Sequence, residues 1–152
     1  MERSSNKKPD ALSLKILQEL QDNARITAVE LGKRIGLSAP AIAERIKKLE
    51  DEQYISGYKA ILDFDKLGYN IPVFINFKTT TITHSEMVKM ISSMPAVNEW
   101  YLTTGYYCCL LKVIVASTGE LNNVLDKLNV AGETSTSIIL SAHSSPKNLT
   151  NH

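Results

Sequence analysis

One helix must stop and another must start within three residues of each other in the stretch TAVELGKRIGLSAPAIAERIKKLEDE, residues 27 to 52. Thr27 with Glu30 three positions on is a capping-box pattern, and Leu31 and Ile35 fall on one side of a short helix that Gly36 ends. Ser38 then caps a new helix with Pro40 in its first turn, where a missing N–H is harmless. Ile42, Ile46 and Leu49 supply the buried stripe of that helix. Upstream, Ile16, Leu17, Leu20 and Ala24 recur at helical spacing after Asp10, which is placed to cap or complement a helix N-terminus. Three short helices joined this closely predict a small trihelical unit.

The hydrophobic period then changes. Tyr54, Ile55, Tyr58, Ile61 and Leu62 favour strand, with Gly57 and Gly68 marking turns, which predicts a small strand or wing followed by a linker. From Ile71 the order is strand IPVFINFKT, helix SEMVKMISSM, strand VNEWYLTT, strand YYCCLLKVIVA, helix GELNNVLDKL and strand TSTSIILS. The fold class is α+β, and this βαββαβ order predicts a ferredoxin-like domain with both helices on one face of an antiparallel sheet. The other face then needs a partner. Val73, Ile75, Phe77, Leu110, Lys112 and Ile114 alternate on strands that so small a domain cannot cover twice, so dimerisation through the open face is expected. The expected organisation is an arm over 1–8 carrying Arg3, Lys7 and Lys8, a helical domain over 9–58, a linker strand over 59–69, and the βαββαβ domain over 70–152.

A net charge of +1 excludes coating of nucleic acid by bulk positive charge, so any DNA binding must come from a local cluster. Charge is concentrated before residue 67: 12 Lys or Arg and 11 Asp or Glu lie in 1–66, against 5 and 5 in 67–152. The start MERSSNKKPD has no apolar core of the signal-peptide kind and no apolar run is long enough to span a bilayer, which suggests a cytoplasmic protein without a membrane partner. Cys108 and Cys109 are adjacent, which suits neither a disulfide framework nor metal-ligand spacing; on a strand they would point to opposite faces as reduced, buried thiols. No cofactor or metal is expected.

With Leu31, Ile35, Leu37, Ile42, Ile46 and Leu49 buried, the third helix turns Ser38, Ala39, Ala41, Ala43, Glu44, Lys47 and Lys48 outward. Small residues in its first turn allow close approach to a base-pair edge, and Ser38 can hydrogen-bond a phosphate or a base. Lys47 and Lys48 are placed for backbone phosphates, as are Lys33 and Arg34 on the second helix. Pro40 and Arg45 complete the candidate DNA-binding set. Arg45 lies beside the buried stripe, which also suits an ion pair with an acid such as Glu30 or Asp51. A lysine pair on a helix is equally an ordinary solvated face, and the helices alone leave both readings open.

The segment DALSLKILQELQDNARITAVELGKRIGLSAPAIAERIKKLEDEQYISGYKAILDFDKLG, with NARIT, GLS, RIKKLE and ISGY in order, and TTGYYCCLLKV later, resembles the Lrp/AsnC, or feast/famine, transcriptional regulators along nearly the whole chain. The resemblance implies an N-terminal winged helix-turn-helix whose recognition helix runs from Ser38 to about Glu52, and a C-terminal ligand-sensing and oligomerisation domain. It further implies double-stranded DNA as partner, pseudo-palindromic sites, and a homodimer assembling to an octamer. The exposed helix offers few long hydrogen-bonding side chains besides lysine, so DNA bending is expected to contribute to specificity.

The chain departs from the family in two places. Where the family usually has a second Asp in the first helix, Ser13 stands here, expected to be a surface change of little consequence. Where amino-acid-responsive members read Thr-Gly-Asp-x-Asp, with an acid helping to hold the ligand's ammonium, this chain has Thr104, Gly105, Tyr106, Tyr107 and Cys108. A buried ammonium without a carboxylate is costly. The expectation is therefore no response to free amino acids, or a less cationic small-molecule effector held by Tyr101, Thr103, Thr104, Gly105 and Tyr106. Cys108, Thr134 and Thr136 are further candidates, the threonines because they match a threonine-rich strand near the ligand cleft of relatives, although threonine is also a plain strand former. His84 is expected to begin the first helix of this domain and His143 to follow the last strand, both on the surface. Trp100 and Tyr101 suit core or dimer interface.

Two alternatives remain at this level. A siroheme-decarboxylase-like enzyme of the same fold family would need His and Arg facing tetrapyrrole propionates, but from Leu67 onward the chain has no arginine and only three histidines, one terminal. A thiol-sensing regulator would use Cys108, where nothing nearby in sequence obviously lowers a thiol pKa.

Overall fold

The computed structural model describes residues 8–142, which fall into two compact units, 8–60 and 61–142. Most of the expected N-terminal arm, including Arg3 and Lys7, lies outside the described residues, as does His143.

The first unit holds α1 (Ala11–Asp22), α2 (Ala28–Ile35) and α3 (Ala39–Asp51). Each begins at a residue whose side-chain oxygen accepts the backbone N–H three positions on: Asp10 from Ser13, Thr27 from Glu30, and Ser38 from Ala41. At α2 the box is half formed, because the Glu30 carboxylate accepts the Thr27 hydroxyl rather than its backbone N–H. Gly36 ends α2 at φ 83°, where a side chain would be strained, and the N–H groups of Gly36 and Leu37 both return to the Gly32 carbonyl at 2.8 and 3.0 Å. Gly32 is buried against the start of the next element: a Cβ there would lie 2.5 Å from the Leu37 carbonyl oxygen.

Ile16, Leu20, Ile26, Leu31, Ile42 and Leu49 form the core of this unit. Burying each stabilises it by about 1.5–3 kcal/mol before conformational entropy is counted. Ala24 does not extend the apolar stripe of α1, because the helix ends at Asp22 and Ala24 is exposed.

No strand forms between Glu52 and Asn70, which corrects the expected wing and linker strands. A strand needs a neighbour to take its N–H and C=O groups. Here the N–H groups of Tyr54 and Ile55 return instead to the Leu49 carbonyl, and both side chains pack on the trihelical core. Their apolar character serves burial rather than a ladder. Ile61 and Leu62, also read as strand formers, are exposed.

The second unit runs β1 (Ile71–Thr79), α4 (His84–Ser92), β2 (Val97–Leu102), β3 (Cys109–Val115), α5 (Thr118–Ala131) and β4 (Gly132–Ile138), in an antiparallel sheet of order β2-β3-β1-β4. A full capping box starts α4, in which Thr83 accepts the Glu86 N–H and the Glu86 carboxylate accepts the Thr83 N–H at 2.8 Å. The register assigns the faces. Val73, Ile75 and Phe77 lie opposite Val113, Leu111 and Cys109, and all six are buried with Met87, Ile91 and Leu128.

Leu110, Lys112 and Ile114 lie opposite Asn76, Phe74 and Pro72 on the other side. This corrects the reading that placed Val73, Ile75 and Phe77 on the open face: directly opposed residues of an antiparallel pair share a face, and the register sets the two triplets on opposite sides. The open face carries Phe74, Leu110, Ile114 and Tyr101, with the Lys112–Glu99 ion pair at 3.5 Å among them. Trp100, by contrast, packs on the core.

The two cysteines do not point to opposite faces. Cys109 is the first ladder residue and is buried, while Cys108 precedes the ladder, and its sulfur lies 3.5 Å from the Phe77 carbonyl and 3.8 Å from the Met87 sulfur, on the helix side. Strict alternation applies only inside the ladder. Burial pushes the Cys109 thiol up to about 11, which holds it in the neutral form.

Candidate nucleic-acid interface and effector loop

The helix pair α2 and α3 sets the first surface. Pro40, Ala43, Glu44, Lys47 and Lys48 are exposed along α3, with Ala39 and Ala41 half-buried in its first turn and Ser38 exposed at the cap. The Ser38 hydroxyl oxygen accepts the Ala41 N–H at 3.4 Å, so its hydrogen remains available to an acceptor outside the helix. Lys33 is exposed on α2.

The two arginines of the candidate set are bound within the unit. Arg34 pairs with Glu19 of α1 at 2.6 Å. Arg45 donates to both carboxylate oxygens of Asp10 at 2.8 and 3.1 Å and to the Ser13 hydroxyl at 3.3 Å. Its partner is thus the cap of α1, not Glu30 or Asp51, because α3 packs back across the helix 35 residues earlier in the chain. The Arg45 hydrogen bond, with those from Ser13, holds the Asp10 carboxyl well below the usual carboxylate range. Ser13 is therefore more than a neutral surface change: it completes the clamp on Arg45 where a second acid is usual. Lys48 meets Glu52 only loosely, at 3.8 Å along the helix. Among the described residues, Lys33 and Lys47 have no ion-pair partner.

The second surface is the β2–β3 connection. Thr103 closes it with two bonds, its N–H to the Cys108 carbonyl at 3.0 Å and its hydroxyl to the Tyr107 carbonyl at 2.9 Å, and Gly105 takes φ 120° at the tip beside Thr104. Tyr106 does not extend into solvent alone. Its hydroxyl donates to Glu133 at 2.5 Å, its ring stands 4.1 Å from the Lys78 Nζ, and Tyr107 packs edge-on at 5.0 Å. Lys78 and Glu133 face each other directly across β1 and β4.

Sequence reasoning missed both of these charged groups. Their strands were legible, but the alignment of β4 against β1 that puts a carboxylate beside the loop was not. The other candidates are dispersed. Tyr101 is on the open face with its hydroxyl on Glu99, a bond that raises its pKa. Thr134 and Thr136 sit opposite Phe77 and Ile75 on the helix side, Thr134 bonding Asn129 at 2.8 Å, and Cys108 turns to the same side.

Among the described residues no helix is long and apolar enough to cross a membrane. Residues 9–56 match the model of a winged helix-turn-helix DNA-binding domain, and residues 72–149 match that of the Lrp/AsnC ligand binding domain. An uncharacterized HTH-type transcriptional regulator of Bacillus subtilis, YezC, is 38% identical over 135 residues, covering 89% of this chain and 96% of that protein. The structure of LrpC from B. subtilis superposes with TM-score 0.86 at 26% identity over 92% of this chain and all of that one. A transcriptional regulator of Neisseria meningitidis in complex with L-Met gives TM-score 0.86 at 26% identity over 93% and 96%. With both domain models matched in order and relatives aligned along most of its length, the chain belongs to the Lrp/AsnC family of transcriptional regulators.

Proposed function

We propose that the protein binds double-stranded DNA with α3 in the major groove, contacting it through Ser38, Ala39, Pro40, Ala41 and Glu44, while Lys33, Lys47 and Lys48 meet phosphates. The observation that carries this reading is the division of labour among the cations: Arg34 and Arg45 are tied to α1, whereas Lys33 and Lys47 are exposed and, among the described residues, have no ion-pair partner, beside a helix start built of small residues. A basic residue already paired to a carboxylate contributes little to counterion release, and a free one contributes fully. Arg45 accordingly orients α3 rather than reading bases. Two copies joined through the open sheet face, which exposes Phe74 and Tyr101, would present two such helices to a pseudo-palindromic site, and four dimers would form the octamer. Such a regulator works in the cytoplasm.

The test is fluorescence anisotropy of the full chain on the DNA upstream of its own gene, repeated from low to moderate salt. Three lysines from each of two protomers predict that log K falls with log[salt] with a slope of about −5, and that Lys47→Ala lowers its magnitude by about 2. A flat salt response, or a slope unchanged by Lys47→Ala, overturns the assignment.

The β2–β3 connection is the effector site in this reading, but not one for a free amino acid's ammonium. Glu133 is the carboxylate nearest to it, and that group already accepts the Tyr106 hydroxyl and faces Lys78.

A further inference from the structure

A cavity of about 630 Å³ opens at the end of the sheet opposite the 103–108 connection, where β2 begins at Val97 and β1 at Ile71. Met94 and Val124 are buried at its floor, Phe64 and Tyr69 of the turn preceding β1 supply aromatic walls, and Ile114 of the open sheet face also lines it. That turn is closed by its own backbone, the N–H groups of Leu67 and Tyr69 returning to the Phe64 carbonyl at 3.1 and 2.9 Å, so the aromatic pair is held rather than trailing.

Asn98 of β2 lines one side, and the other polar groups come from one side of α5, on which Glu120, Asn123, Val124 and Lys127 recur at helical spacing. Glu120 is committed to the start of its helix, its carboxylate accepting the Ala116 N–H at 3.0 Å and its own N–H donating to Ser117. Lys127, one turn beyond Asn123, is exposed and has no ion-pair partner among the described residues. A cavity in the volume range of ligand sites, with an aromatic and aliphatic floor, the amides of Asn98 and Asn123, and a lysine that has no ion-pair partner among the described residues, suits an amphipathic anion.

We propose that this cavity is a second small-molecule site, taking a monocarboxylate with an aromatic or branched apolar tail. The tail lies between Phe64, Tyr69 and the Met94–Val124 floor, and the carboxylate meets Lys127 and the Asn123 amide. The site shares no residue with the β2–β3 connection and does not depend on what that connection binds. Two of its walls belong to the segment that leads from the DNA-binding unit into β1, so a bound acid would brace that segment.

The experiment is calorimetric titration of the full chain with 3-phenylpropionate, indole-3-acetate and 4-methylpentanoate, each beside its uncharged amide. Each acid is expected to bind more tightly than its amide by about fivefold, the scale of one partly exposed charge pair. Lys127→Met should reduce the acids to the level of the amides while leaving the thermal midpoint of the free protein unchanged, since the side chain is exposed. Tyr106→Ala, at the other end of the sheet, should leave acid binding intact. The proposal is overturned if none of the three acids binds, if Lys127→Met leaves their affinities unchanged, if Tyr106→Ala abolishes them, or if a second copy of the chain is found occupying the cavity.

Discussion

Replacing glycine by alanine inside a helix ordinarily stabilises a protein, by about 1 kcal/mol from intrinsic propensity. At Gly32 the structure predicts the opposite. The added Cβ would stand 2.5 Å from the Leu37 carbonyl oxygen and 3.5 and 3.6 Å from the carbonyl carbons of Leu37 and Ser38. All three are backbone atoms at the entry to α3, and none can rotate away as a side chain could. Relief requires α2 to move off the turn that positions α3. Overpacking of this kind costs about 1–3 kcal/mol, so Gly32→Ala is expected to be net destabilising by up to about 2 kcal/mol once the propensity gain is deducted. Urea unfolding followed by far-UV circular dichroism would show a lower midpoint, while the fluorescence of Trp100, the single tryptophan, reports the second unit and serves as internal reference. DNA affinity should fall with it, because α3 is displaced. Gly119→Ala is the control: in the first turn of α5 its Cβ would meet only the Ser117 hydroxyl, at 3.7 Å, and the change should stabilise by about 0.4–1 kcal/mol. Equal or greater stability of Gly32→Ala would refute the steric reasoning.

Three further outcomes are expected. The Asp10 carboxyl is held below its ordinary value near 3.8 by Arg45, so its contribution is present above that pH and disappears as pH falls through the depressed value; Asp10→Asn should flatten the acid limb of the stability curve below about pH 5, by under about 1 kcal/mol because the pair is exposed to solvent. Phe74→Asp places a charge at the centre of the open sheet face and should shift the sedimentation coefficient from dimer or larger to monomer while near-native circular dichroism is kept. In a thermal-shift screen, an amino acid bound at a hundred times its dissociation constant would stabilise the fold by about 2.7 kcal/mol. No standard amino acid is expected to do so through the 103–108 connection, and a shift that Glu133→Gln abolishes would show that the carboxylate of β4 holds the ammonium after all.

The features readable from sequence were those decided within a few residues. Asp10, Thr27 and Ser38 cap their helices because the accepting oxygen and the donating N–H lie three positions apart, and Gly36 ends α2 because its left-handed conformation excludes side chains. The βαββαβ order was legible for the same reason: the change from a period of 3.6 to a period of 2 is a local signal. The burial stripe of α3 likewise separated its packed side, Ile42 and Leu49, from its exposed side, Ala43, Glu44 and Lys47.

What lay beyond reach was every choice that depends on how distant segments align. Alternation alone could not separate Val73, Ile75 and Phe77 from Leu110, Lys112 and Ile114, since only the β1–β3 register assigns each set its side of the sheet. Tyr54 and Ile55 carry strand propensity, yet they pack on a helical core because no neighbouring strand offers them a ladder. Local pattern was enough for the five helices of the described residues, the caps of the first three, the βαββαβ order and the family, though not for the strands expected between Glu52 and Asn70. That Arg45 belongs to Asp10, that Glu133 and Lys78 flank Tyr106, and that a cavity forms beside Lys127 follows from packing across tens of residues, which no local pattern encodes.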